Sequence, residues 1–303
     1  MLVVSPSRHR LVPRPRRVLG VSGWGGGKWG LTHNKNFTMV FNMEDNTVIS
    51  FANVGARYDD DDDVLTDVSF NIGAGSFYFL SGASGAGKTT LLRLMYHLHK
   101  PCRGIIKVFG KQTNNMSRDE ITEMRHKMAI VFQSYSLLSH ISVFDNVALP
   151  LRVRGVDEAK VKKLVTKTLE WVGLAKFANS NPLSLSGGQQ QRVSVARAII
   201  VQPAIMLADE PTGNLDDENA GRLMELFIQM NKMFGTTIIL ATHNSALMEK
   251  YKFPVMHVEN HHVNFVGGRA GNARTTTKRP AIKAGGDGYF AALSKQFSDI
   301  GNG

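Results

Sequence analysis

Four short apolar runs mark the middle of the chain: Phe77–Ser81, Met128–Phe132, Ala204–Ala208 and Thr237–Ala241. Continuous apolar runs of this length read as strands buried on both faces. Between them lie stretches with helical spacing, such as Leu91, Leu92, Met95 and Leu98. Strand–helix alternation predicts a mostly parallel α/β sheet. Residues 134–185 break the rhythm. There Val161, Leu164, Val165, Leu169 and Val172 recur at helical spacing without a strong strand pattern, so a helical insertion is expected. No internal repeat is visible.

The two ends look different. Residues 1–38 carry seven Lys/Arg, no acid, Pro13, Pro15 and the glycine run Gly25–Gly27, with no sustained period. Three readings fit this basic, expectedly disordered extension. It is upstream sequence ahead of a true start at Met39 or Met43, an Arg-rich transit peptide, or a basic arm for acidic lipid or nucleic acid. Residues 267–303 are rich in Gly, Thr, Lys and Ala and are expected to be a flexible basic tail. Within them Phe290, Leu293, Phe297 and Ile300 form a helical stripe, suited either to folding back on the body or to docking on a partner or membrane surface.

Charge changes the picture once it is located. The formal net charge of the 303 residues is +11, but residues 39–266 hold 23 basic and 23 acidic residues. The body is neutral and the basicity lies at the ends, which argues weakly for nucleic acid. With 43% hydrophobic residues the chain has enough apolar surface for a sizeable core. The single cysteine, Cys102, excludes an intramolecular disulfide framework. The longest apolar stretch, Ala198–Ala208, is interrupted by Gln202 and Pro203. It falls short of the ~20 apolar residues a bilayer span needs.

The candidate chemistry begins at Gly82-Ala83-Ser84-Gly85-Ala86-Gly87-Lys88-Thr89, a full match to the phosphate-loop pattern. It follows an apolar strand and precedes a helical pattern, the context that the motif requires. Glycines let successive N–H groups face phosphates, and the helix N-terminus adds partial positive charge. Lys88 is expected to bind the β- and γ-phosphates, and the Thr89 hydroxyl to bind Mg²⁺. A second element, Ile205-Met206-Leu207-Ala208-Asp209-Glu210, is an apolar strand that delivers two carboxylates into the ligand crevice of such a sheet. Asp209 is expected to hold Mg²⁺, and Glu210 to act as the general base toward water.

Between these two motifs stands Leu185-Ser186-Gly187-Gly188-Gln189, with Ser186 lying 98 residues beyond Lys88 and 23 before Asp209. In this order the chain resembles the ATP-binding cassette (ABC) ATPases, whose signature is LSGGQ. Over about Asn46 to Val266 the resemblance implies a P-loop α/β cassette. Its parts are a mostly parallel core sheet, an antiparallel β subdomain and a helical subdomain near 134–185. It implies ATP and Mg²⁺ as ligands, and hydrolysis to ADP and phosphate. Gln133 then matches the Q-loop glutamine, with a catalytic and metal-facing role. Gly213-Asn214-Leu215-Asp216 matches the D-loop, and His243 the switch histidine. Tyr58 stands where the family places an aromatic under the adenine. Nucleotide contacts are implied for Gly82–Thr90, with Ala83, Ser84, Gly85, Ala86, Gly87 and Thr90 included, and for Ser186, Gly187, Gly188, Gln189 and Asp216.

The resemblance also implies a head-to-tail homodimer in the ATP state, with Ser186 and Gly188 of one copy facing the γ-phosphate bound by its partner. Within the family, Ser84–Thr90, Asp145–Leu151 and Glu210–Asp217 are similar to the FtsE group of bacterial cell-division ATPases. That similarity implies an FtsX-like integral membrane partner and a peripheral place on the cytoplasmic face of the plasma membrane. It also implies a partner groove beside the Q-loop, with Leu137 and Leu138 as candidates. Lipoprotein-export and macrolide-efflux ATPases share Glu210–Asp216 and stay open as alternatives. From another class, a soluble nucleic-acid-associated ATPase is weighed on the basic ends. The spacing leaves no room for the long coiled coil of the DNA-repair versions, and the chain has one cassette where translation-factor versions have two. Finally, the acidic run Asp59–Asp63 is expected to be a solvated hairpin turn.

Overall fold

A computed structural model describes residues 46–58 and 62–266. The segments 1–38 and 267–303, with the Phe290–Ile300 stripe, lie outside the described residues, as do Asp59–Asp61. Along the chain, strands β1 (Thr47–Ala56), β2 (Leu65–Gly73) and β3 (Phe77–Gly82) precede helix α1 (Lys88–Met95). Strands β4 (Arg103–Val108) and β5 (Lys111–Gln112), helix α2 (Arg118–His126) and strand β6 (Met128–Val131) follow. Then come helices α3 (Val143–Val153), α4 (Glu158–Trp171) and α5 (Gly187–Ile199). The order closes with β7 (Ile205–Asp209), α6 (Asp217–Phe234), β8 (Thr237–Ala241), α7 (Ser245–Tyr251), β9 (Val255–Glu259) and β10 (His262–Val266).

Two sheets result. The larger has the order β10-β9-β3-β8-β7-β6, parallel except for the β9–β10 hairpin at one edge. The smaller, β2-β1-β4-β5, is antiparallel. All four apolar runs read from sequence fall on strands of the larger sheet. Period-2 alternation explains why they are apolar throughout. Phe77 and Phe79 of β3 face a core shared with α3–α6, whereas Tyr78 and Leu80 face a second core shared with α1 and the antiparallel sheet. Strands β7 and β8 divide in the same way, with Met206, Ala208, Ile238 and Leu240 on one side and Ile205, Leu207, Ile239 and Ala241 on the other.

Between β6 and β7 the described chain contains helices and 3-10 turns but no strand. The helix α4 buries Val161, Leu164, Val165 and Leu169 along one stripe, opposite its lysines. One periodic expectation fails: Leu98 lies past the end of α1 and is 49% exposed. The helix stops because the backbone at His97 turns to φ 56°, outside the helical region.

Candidate active site

The phosphate loop leaves β3 at Gly82, and α1 begins at Lys88. Glycine is required at both joints. At Gly82 (φ 147°) a Cβ would stand 2.5 Å from the Val258 carbonyl oxygen. At Gly87 (φ 105°) it would press on Val64 and Leu65 at 3.1 and 3.2 Å. The loop therefore packs closely on the backbone of strand β9 and on the Val64 and Leu65 side chains at the start of β2. Lys88 Nζ lies over the loop and donates to the carbonyl oxygens of Gly82 and Ala83 at 2.8 and 3.0 Å. Thr89 is exposed; Thr90 is buried, with its hydroxyl 3.2 Å from that of Tyr58. The Tyr58 ring leans on His99 with centroids 4.5 Å apart.

Parallel register brings the acidic motif to the loop. Asp209 ends β7, and the Thr89 hydroxyl donates to its Oδ2 at 2.8 Å. This pair spans 120 residues of sequence. A hydroxyl beside a carboxylate, both hard oxygen donors, suits Mg²⁺, which keeps waters and phosphate oxygens in most of its positions. When bound, that ion neutralises charge developing on the phosphate oxygens.

The chain turns sharply after Asp209. Glu210 adopts φ 48°, a left-handed conformation that costs a non-glycine residue roughly 1–2 kcal/mol. Its N–H is held by the Ala241 carbonyl at 3.0 Å, and its carbonyl accepts from Gly213 N–H at 3.1 Å. The turn directs the carboxylate toward His243, just beyond β8, where Oε2 and Nδ1 stand 2.8 Å apart. Gln133 is exposed beyond β6; its Nε2 lies 4.0 Å from the point where a Cβ on Gly213 would be. Asp216 caps α6, accepting from Asn219 N and Nδ2 at 2.8 Å each. These bonds, the backbone one foremost, hold its carboxyl below the usual range. A cleft of about 560 Å³ opens beside the loop, lined by Ser81, Gly82, His243, Glu249 and His257 among others.

The signature forms a separate cluster. Ser186 is the N-cap of α5 in a full capping box: its Oγ accepts from Gln189 N at 3.4 Å, and its N–H donates to Gln189 Oε1 at 2.9 Å. Within the chain Gln189 thus serves the cap, while the exposed Ser186 keeps its hydroxyl proton free to donate. Gly188 packs toward Leu215 and Asn219, and Gly187 toward Tyr135. Among the described residues, no hydrogen bond joins Ser186–Gln189 to the phosphate loop of the same chain. Leu137 packs against the core, and Leu138 N–H is held by Asn146 Oδ1.

Known proteins share this arrangement. The ABC transporter family profile matches residues 65–213. The cell division ATP-binding protein FtsE of Streptococcus pneumoniae (strain D39) is 37% identical over 214 residues, covering 71% of this chain and 93% of that one. The chain belongs to the ABC transporter family. Another relative is the methionine import ATP-binding protein MetN of Clostridioides difficile, 39% identical over 220 residues, which make up 73% of this chain and 68% of MetN. Among solved structures, the dimeric ATP-binding cassette MJ0796 in a post-hydrolysis state with ADP and Pi matches with a TM-score of 0.66. It is 31% identical, with 72% of this chain and 97% of that one covered. The cassette is an ATPase that binds ATP with Mg²⁺.

Sequence reading did not anticipate that Arg197 of α5 donates to the Ser136 and Tyr135 carbonyls beyond Gln133, nor the capping role of Gln189. The first carries only a weak sequence signal, a lone arginine inside the apolar run Val193–Ile200.

Proposed function

We propose that this cassette is the ATP-hydrolysing half of a membrane complex of the FtsE–FtsX kind. The observation that carries the reading is the length of the match. FtsE of S. pneumoniae is covered to 93% of its length, whereas about a third of MetN lies outside the match. Among the described residues, no helix is long and apolar enough to cross a membrane.

In this reading Lys88 exchanges its two loop carbonyls for the β- and γ-phosphates, and Tyr58 stacks on adenine. Thr89 and Asp209 hold Mg²⁺, with Gln133 facing it. Glu210 accepts a proton from water as the new P–O bond forms and the bond to ADP breaks, a role worth ~10²–10⁴ in rate. His243 holds that carboxylate in line. Ser186 and Gly188 act on a second copy, since among the described residues no hydrogen bond joins them to their own chain's loop. Closure of the dimer then depends on γ-phosphate contacts that ADP cannot make, which is the differential binding a switch requires.

Affinity capture from membranes in MgATP tests the partner. Recovery of an FtsX-like protein supports the reading. A lipoprotein or drug exporter favours the transport alternative, and salt-sensitive DNA binding by the neutral body would favour the nucleic-acid one.

A further inference from the structure

The segment after Gln133 is fastened at several points, all on the helical side. Arg197 of α5 donates from Nη1 to the Ser136 carbonyl at 2.8 Å and from Nη2 to the Tyr135 carbonyl at 3.2 Å. Two residues further on, Asn146 of α3 holds Leu138 through its N–H (2.8 Å) and its carbonyl (2.9 Å). Tyr135 Oη lies 2.9 Å from where a Cβ on Gly187 would stand, so the segment also touches the first turn of α5.

The chemistry of Arg197 is unusual for a half-buried charge. Burial pulls its guanidinium below the ordinary arginine value. Among the described residues no carboxylate pairs with it, and its hydrogen-bond partners are two main-chain carbonyls. A desolvated charge without an ion pair is unfavourable, and an apolar residue would suit a helix among Val195, Ala196 and Ala198 better. What the guanidinium supplies is shape: a rigid fork that fits two successive carbonyls at once. Those carbonyls flank Ser136, whose φ of 49° sets the bend of the segment. The fork thus fixes a strained turn three residues from Gln133, and it does so from the helix whose first residues carry the signature.

We propose that Arg197 is a positioning residue that ties the location of Gln133 to that of α5. Movement of α5 when Ser186 engages a second copy would then be delivered to Gln133 through the Tyr135–Ser136 carbonyls. The inference rests on the reading of Gln133 given above.

Arg197→Lys keeps the charge and the stem but cannot fork. Expected in the full chain is a loss in kcat on the order of ten- to a hundred-fold, the scale of a small misplacement of a reacting group. KM and the binding of a fluorescent ATP analogue should be unchanged, and amide exchange over 133–138 faster. In a Gln133→Ala background the same substitution should cost nothing further, because Arg197 acts on turnover only through the placing of Gln133. Ser136→Val, at an exposed position, puts a β-branched residue where φ is 49°, so it disturbs the turn without touching the buried helix and should lower kcat in the same direction. Unchanged exchange and full kcat in both variants would overturn the proposal. So would a loss in Arg197→Lys that adds to that of Gln133→Ala. If Gln133→Ala alone keeps full turnover while Arg197→Lys still frees 133–138, the reading of Gln133 fails and the tether stands.

Discussion

Glu210 Oε2 and His243 Nδ1 stand 2.8 Å apart, joining a largely buried carboxylate to an imidazole that is 71% exposed. The bond links the residue after β7 to a residue beyond β8, two adjacent parallel strands. The bond restrains the carboxylate, and under the proposed role a base so restrained would need little reorganisation at the moment of reaction.

Glu210→Gln retains the shape and a hydrogen bond to His243 but cannot accept the proton. MgATP binding should persist, turnover should fall on the order of 10²–10⁴-fold, and a dimer should accumulate in size-exclusion chromatography with MgATP. A variant that stays monomeric there counts against the shared-nucleotide arrangement.

Thr89→Val removes the hydroxyl that donates to Asp209 at 2.8 Å and leaves the shape intact. The Mg²⁺ concentration for half-maximal turnover should rise on the order of ten-fold or more. Titration of Mg²⁺ at saturating ATP measures it, and an unshifted midpoint removes Thr89 from the metal site.

Asn146 is fully buried in α3, and its amide holds Leu138, Ile141 and Ser142. Asn146→Ala leaves several of these backbone groups without partners, at a cost of about 2–4 kcal/mol. In a domain of this size that corresponds to a fall in Tm of roughly 2–4 °C per kcal/mol, read by calorimetry.

Asp145 carries the one acid-side prediction. The Ser142 hydroxyl foremost, and then Arg152, hold its carboxyl below the ordinary value. A depressed folded pKa gives stability that is present above the unfolded value and is lost as pH falls through the folded one. The side chain is 37% exposed, so screening limits the gain to under about 1 kcal/mol at neutral pH. Asp145→Asn should therefore be slightly less stable at pH 7, with the gap to the parent closing below about pH 4 in thermal melts.

The parts legible in the sequence were those where one local pattern decides. Strand β3 reads as buried because Phe79 and Leu80 both have nowhere to go but a core. The loop Gly82–Thr89 reads as a phosphate site because no other common motif needs those glycines before a lysine. The antiparallel sheet was legible only through the family resemblance. Asn53 and Asp67, both at φ 49°, interrupt the β1–β2 pairing and break the alternation that would betray it. Leu98 kept helical spacing by chance after the helix had ended. Of the acidic run, Asp63 pairs with Arg103 at 3.4 Å, and the same guanidinium reaches Asp67 of β2 at 3.5 Å. Sequence spacing is silent on Arg197, because its partners are carbonyls, which every residue has.

Neighbours on one strand, Phe79 and Leu80, belong to different hydrophobic masses. The phosphate grip grows from a strand wedged from above and below, so it is the anvil of the molecule. If the proposed closure moves any part of the chain, the place to look is away from that strand, in the signature helix and the nine residues 134–142 between Gln133 and α3.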